Sequence, residues 1–300
     1  MSMLGFSEDQ IRRYARHIVL EGIGGKGQRR LLNARVLVVG AGGLGSPAAL
    51  YLAAAGVGTI GIVDSDVVDV SNLQRQVLFR ASDAGRAKVE AAAESLRALN
   101  PDVTIVPHRE RLASTTARAI VADYDMVVDG SDNFPTRYLV NDVCVLLGKP
   151  LAWGAANQFD GQMSVVKPRE SACYRCVFPT PPSPGSVPDC IEAGVLGALT
   201  GVIGSWLALE AIKLILGLGA ALTDRLTIFE GLTGEVTQAH IARRADCAVC
   251  GDAPTVTELI DYDAFCGAPA GSIARHASRR NQSMGHGHVR CSAPVNTDEH

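Results

Sequence analysis

Residues 35–46 read R-V-L-V-V-G-A-G-G-L-G-S, a short aliphatic run that breaks into Gly40, Gly42, Gly43 and Gly45 and resumes as a helical stretch. No other segment constrains the fold as strongly. The spacing predicts a strand over Arg35–Val39, a helix over Leu44–Ala55 and a second strand over Thr59–Val63, which together make a strand, crossover helix and parallel strand. Glycines at such a junction permit a tight turn and bring backbone N–H groups to a phosphate at the positive end of a helix. Asp64 closes the second strand roughly twenty residues further on, where an acid takes the hydroxyls of a ribose. A turn without a ligand is the plain alternative. A nicotinamide or flavin dehydrogenase is the stronger one, because the same turn serves dinucleotides.

The alternation continues with a helix over Arg86–Leu99, a strand over Val103–Val106, a helix over Ser114–Ala122 and a strand over Asp125–Asp129. This is the pattern of an α/β fold with a Rossmann-like, doubly wound, mostly parallel sheet. Strand-like segments follow at Leu151–Trp153 and Gln162–Val166, then a Pro-rich stretch over 179–188 read as a mobile crossover. Arg225–Glu230 and Glu235–Ile241 flank Thr233-Gly234 as a hairpin, so the sheet is expected to finish antiparallel. At the other end, Ser7 and Gln10 form a capping box before Ile11, Tyr14, Ala15 and Ile18 at helical spacing.

With 300 residues, 47% of them apolar, there is material for one large core. The apolar run Ala193–Leu216 has the length of a membrane span, but Glu210 and Lys213 interrupt it and glycines thin it, which favours a buried helix and no membrane partner. A single domain over 1–251 is expected, followed over 252–300 by a linker and a tail. From Gly267 onward, Ala, Gly, Ser, Arg and His dominate without aliphatic periodicity, the composition of a disordered chain. A net charge of −3 with scattered Lys and Arg argues against nucleic acid. The N-terminus lacks a secretory signal, so the cytoplasm is the expected compartment.

What separates a triphosphate site from a dinucleotide site is positive charge beyond the turn. The block D-S-D-V-V-D-V-S-N-L-Q-R-Q sets Asp66, Asn72, Gln74 and Arg75 after the strand carrying Asp64, and Lys88 lies further along in G-R-A-K-V-E. A triphosphate needs several such donors to balance about four negative charges. D-G-S-D-N-F-P-T-R puts Asp132 and Asn133 past the next strand, on the same carboxyl edge of the sheet, where an acid can hold Mg²⁺. Each has an ordinary alternative: Arg75 and Lys88 as solvated charges, Asp132 with Asn133 as a helix N-cap.

Of the eight cysteines, four form two C-x-x-C pairs, Cys173 with Cys176 and Cys247 with Cys250. Four thiolates fill a tetrahedral zinc shell and leave no open position, so the expected Zn²⁺ is structural, with redox dithiols and unliganded thiols as alternatives. Cys190 stands apart before a helix, as a nucleophilic thiol or as a small buried residue. Cys144 reads as core, and Cys266 and Cys291 fall in or near the tail.

From about Ser7 to Gly251 the chain resembles the MoeB/ThiF/HesA family, bacterial relatives of ubiquitin-activating enzymes. The likeness is carried by R-Y-A-R-H, G-A-G-G-L-G, S-N-L-Q-R-Q, the D-N pair, C-Y-R-C, C-I-E-A-G-V and C-A-V-C-G. It is nearest to the molybdopterin-synthase adenylyltransferases and their sulfurtransferase-fused actinobacterial relatives. The resemblance implies a homodimer that binds ATP, Mg²⁺ and the Gly-Gly tail of a small ubiquitin-like sulfur carrier, giving an acyl-adenylate and pyrophosphate. Gly43, Asp64, Asn72, Arg75, Lys88 and Asp132 match its nucleotide-site positions, and Arg16 matches an arginine that reaches into the partner's site. After Gly251, D-A-P-T-V-T-E-L-I-D-Y-D-A-F-C-G resembles the linker and first strand leading into a rhodanese domain, which is not recognisable here. A separate sulfurtransferase is therefore the expected sulfur donor, in molybdopterin, thiamine or cysteine synthesis.

Overall fold

The computed structural model describes residues 5–183 and 193–267. Cys190 and Cys291, residues 184–188 of the Pro-rich stretch and the expected tail beyond residue 267 lie outside the described residues. An eight-stranded sheet organises the molecule, in the order β3-β2-β1-β4-β5-β6-β7-β8. Strands β1 (Arg35–Val39), β2 (Thr59–Val63), β3 (Thr104–His108), β4 (Met126–Asp129) and β5 (Leu151–Asn157) run parallel. Strands β6 (Asp160–Val166), β7 (Arg225–Glu230) and β8 (Glu235–His240) complete it antiparallel.

Period-two alternation along the strands feeds two cores. Val36 and Val38 of β1 join Ile60, Ile62, Leu52, Leu96 and Leu207 on one face, while Leu37 and Val39 join Val127, Tyr138, Val140 and Trp153 on the other. The first face is covered by α3 (Gly45–Ala55), α4 (Lys88–Leu99) and α8 (Gly197–Leu216), the second by α5 (Ser114–Ala122) and α6 (Phe134–Leu147). Helix α1 (Glu8–Ile18) starts at Ser7 with the full capping box. Short α7 (Tyr174–Val177) and α9 (Tyr262–Phe265) complete the described helices of α type.

Helix α2 (Gly24–Asn33) is not legible in G-G-K-G-Q-R-R-L-L-N, because three glycines depress helix propensity. Burial overrides it: Leu31 is fully buried, and buried Gln28 donates to the Ala55 carbonyl at 2.9 Å. Strands β5 and β6 are longer than the aliphatic runs suggest and form a hairpin through Gln158 at φ 51°. Glycines at their centre are tolerated because α8 lies directly on them: a Cβ at Gly154 would stand 3.0 Å from the Leu207 side chain. Helix α8 has the length and composition of a membrane span, yet half of it is buried inside the molecule. Its Glu210, 1% exposed, accepts from the Leu222 N–H at 3.0 Å and pairs with Lys213 at 2.7 Å, so the charge is compensated within the fold.

Candidate active site and four-cysteine cluster

The chain runs from β1 to β2 and β3 on one side of the sheet and to β4 on the other, so the carboxyl ends of β1 and β4 flank a topological switch point. A cavity of about 500 Å³ opens there. Gly40, at the end of β1, adopts φ +86°, and a Cβ at Gly45 would fall inside the van der Waals shell of the Gly40 carbonyl oxygen. The turn therefore accepts only glycine at these two positions. Helix α3 begins without a side-chain cap; the Ser46 N–H donates instead to the Gly42 carbonyl at 2.9 Å, and Pro47 has no N–H to satisfy.

Asp64, at the end of β2, accepts from the Ala41 N–H and the Asp66 N–H, each at 2.8 Å, and so pins the glycine turn. Burial raises its pKa, against the opposing pull of Lys88 and those two N–H donors. Lys88 is 5% exposed and occupies the first position of α4, where the helix dipole disfavours a cation. Asp66 compensates at 2.9 Å, with Asp64 at 4.0 Å. Arg75 follows the 3-10 turn Val70–Asn72 and donates to the Ser71 carbonyl at 3.1 Å. On the β4 side, Asn133 is the N-cap of α6, accepting from the Thr136 N–H at 2.9 Å, and exposed Asp132 precedes it.

Gly40, Gly42, Gly43, Asp64 and Asp66 line this one cavity together with Arg75, Lys88, Asp132 and Asn133. Gly45 supports the turn from behind. Asn72 does not line it; its carbonyl accepts from the Arg75 N–H at 3.0 Å and the Gln76 N–H at 2.9 Å, which sets the turn that presents Arg75. Arg16 is exposed on α1, away from the cavity of its own chain.

Sequence reasoning passed over Gln76, Ser131 and Arg137. Among the described residues, five buried side-chain polar atoms lack a partner, and Gln76 Oε1, Ser131 Oγ and Arg137 Nε are three of them, all on residues lining the cavity. Buried polar atoms are ordinarily satisfied, so this concentration marks a surface built to meet a polar ligand. Gln76 and Arg137 fall inside S-N-L-Q-R-Q and D-N-F-P-T-R, but only the fold reveals that they face the same space as Arg75.

Away from the cavity, Cys173, Cys176, Cys247 and Cys250 are all buried, with sulfur atoms within 4.8 Å of one another. The pairs 173–176, 173–247 and 176–250 stand 3.9, 3.6 and 3.4 Å apart. Metal–sulfur bonds of about 2.3 Å in a tetrahedron give edges of about 3.8 Å, so the four thiols have the spacing of a closed metal shell. The Arg244 N–H donates to Cys176 Sγ at 3.4 Å, supplying a second contact that orients the ligand.

Comparison with known proteins follows the same lines. The ThiF family matches residues 14–249. The sulfur carrier protein adenylyltransferase of Thermus thermophilus is 50% identical over 267 residues, 87% of this chain and 98% of that protein. The adenylyltransferase and sulfurtransferase MOCS3 of Sus scrofa is 53% identical over 88% of this chain, which spans only 58% of that longer relative. Among solved structures, E. coli MccB superimposes with a TM-score of 0.73 at 22% identity, covering 84% of this chain and 75% of that one, a likeness of fold. By its turn, its acid, its cysteine pairs and these matches, the chain belongs to the ThiF family.

Proposed function

We propose that the protein is an ATP-dependent adenylyltransferase that activates the C-terminal carboxylate of a small ubiquitin-like sulfur carrier ending in Gly-Gly. The observation that carries this reading is the convergence of Arg75, Lys88 and Asp132 with the glycine turn and Asp64 on one cleft. A dinucleotide site has little use for that charge past its pyrophosphate. The relative from Thermus thermophilus, nearly all of whose length is matched, carries a name that supports it.

The reaction asks for alignment and charge neutralisation. The carrier carboxylate is ionised at neutral pH and needs no general base. Its oxygen attacks the α-phosphorus of ATP, the bond from that phosphorus to the bridging oxygen breaks, and pyrophosphate leaves with the electron pair. Asp64 holds the ribose, the glycine turn receives phosphate, and Arg75 and Lys88 balance the charge that spreads over the transferring group. Arg16 completes the set from the partner of a homodimer. Asp132 fits a magnesium ligand: it is an exposed oxygen donor on the cleft whose side chain makes one long contact, 3.5 Å from Asn133. Mg²⁺ bound there would neutralise phosphate oxygens.

In the four-cysteine cluster a structural Zn²⁺ fits the sulfur spacing and would staple the first cysteine pair to the second. Cys190 stays a candidate for a thiol that engages the activated carrier. Sulfur then comes from a separate sulfurtransferase, in the cytoplasm, for molybdopterin, thiamine or cysteine synthesis. Carrier-dependent ATP–pyrophosphate exchange tests the reading. Asp132→Ala is expected to lower exchange by at least about 100-fold while the melting temperature holds, because the side chain is exposed. Near-normal exchange in that variant would remove Asp132 from the mechanism.

A further inference from the structure

Residues 256–267 lie beyond the stretch matched by the family, yet they are built into the fold. Tyr262 is 4% exposed and donates its hydroxyl to Asp142 Oδ2 at 2.8 Å. Asp142, wholly buried, grips the guanidinium of Arg175 at 2.9 and 2.7 Å, and Arg175 sits between Cys173 and Cys176. The same guanidinium lies 4.5 Å from the ring centre of Phe265 and 5.0 Å from that of Tyr138. Tyr262 and Phe265 thus close over an ion pair inside the first cysteine knuckle. The Ser114 hydroxyl fixes the segment again by donating to the Ile260 carbonyl.

Held in this way, Asp263 reaches the nucleotide cleft. It takes both Arg111 nitrogens, at 2.7 and 3.0 Å, and the two side chains line the cavity together. Sheet order says which part of a nucleotide they meet. The phosphate turn follows β1 and the ribose acid Asp64 ends β2, and Arg111 comes just after β3, the next strand along the same edge. A mononucleotide laid from β1 across β2 brings its base to Arg111. Buried Leu112 beside it offers apolar surface, and the pair stands where the cleft borders a second hollow of about 410 Å³.

The geometry points to Arg111, held in a fixed plane by Asp263, as a residue that positions the purine of ATP. A planar guanidinium stacks on aromatic rings, and a bidentate carboxylate removes the freedom that would dilute this contact. The segment after the second cysteine pair is then a wall of the nucleotide site, clamped to the cysteine knuckle on one side and to the base on the other. This inference rests on the reading of the cleft as an ATP site.

Calorimetric titration of the full chain with ATP, AMP and inorganic tripolyphosphate separates the base end from the phosphate end, and pyrophosphate exchange supplies KM and kcat. Asp263→Ala and Arg111→Ala are expected to weaken ATP and AMP by about 5–20-fold and to raise KM for ATP similarly, with tripolyphosphate unchanged and kcat altered less than about twofold. Asp263→Glu, which keeps the carboxylate, should stay within about threefold of the parent protein. Unchanged ATP and AMP affinities in both alanine variants would overturn the assignment, and so would an equal loss for tripolyphosphate, the mark of a brace for the fold alone. Parent protein that neither binds ATP nor supports exchange with any carrier would instead bring down the site reading on which the inference rests.

Discussion

Lys88 illustrates how a single position can be costly to the fold and still be kept. A cation at the first residue of a helix opposes the dipole, and burial adds a desolvation penalty that Asp66 offsets only from a mostly exposed carboxylate. A position of that kind is explained by a negative ligand that arrives later. His108, at the end of β3, makes a cleaner statement about pH. Its ring nitrogen meets the Tyr124 hydroxyl at 2.8 Å, and burial lowers its pKa below the ordinary 6.5, against Glu110 and Asp123, which pull upward. The unfolded chain therefore takes up a proton first, so stability present above about 6.5 is lost as the pH falls through the depressed folded value. Urea titrations at stepped pH should show that loss, and His108→Gln should flatten it below pH 6.5; an identical slope in the variant would assign the effect to other groups. Asp64 and the glycines were legible in the sequence because each demands a specific residue type at a specific strand end. Gln76 and Arg137 were not, since a glutamine or arginine is common anywhere and only the orphaned atoms of the folded cavity single them out.

At the level of elements, strands built as short aliphatic runs declared themselves, and β1, β2 and helix α5 span the residues that the sequence pattern marks. Helix α2 and the central part of the β5–β6 hairpin stayed hidden because their glycines lower local propensity while packing against Leu216, Ile203 and Leu207 repays the deficit. The cysteine pairs were legible as motifs, but their meeting depends on β6, β7 and β8 folding the chain back. Freshly purified, unchelated protein should contain about one zinc per chain by elemental analysis, and Cys176→Ser should lower both the metal content and the melting temperature. A zinc content near zero in protein of normal stability would leave the four thiols without a metal role. Such an outcome would also make the Arg175–Asp142 pair beside them harder to explain, since buried ions need a rigid frame to remain paired.

At the scale of the whole molecule, apolar side chains are exposed on one helical face. Helices α3 and α8 expose Tyr51, Val202 and Leu209 at 58%, 45% and 52%, apolar groups on neighbouring helices of one face, and this supports the proposed homodimer. If Arg16 serves the partner's cleft, mixing inactive Arg16→Ala and Asp132→Ala chains should restore about one quarter of wild-type exchange, because half the dimers are hybrids and each hybrid holds one intact site. No recovery after verified subunit exchange would confine each site to one chain. The cysteine cluster carries one more implication. Its two halves are 74 residues apart in sequence and the second follows β8, so a nascent polypeptide cannot close the shell until every strand of the sheet has been translated. With the proposed Zn²⁺, ion capture would come only at the end of synthesis, and a ribosome product that stops short of Cys250 would lack the clasp that a finished one acquires.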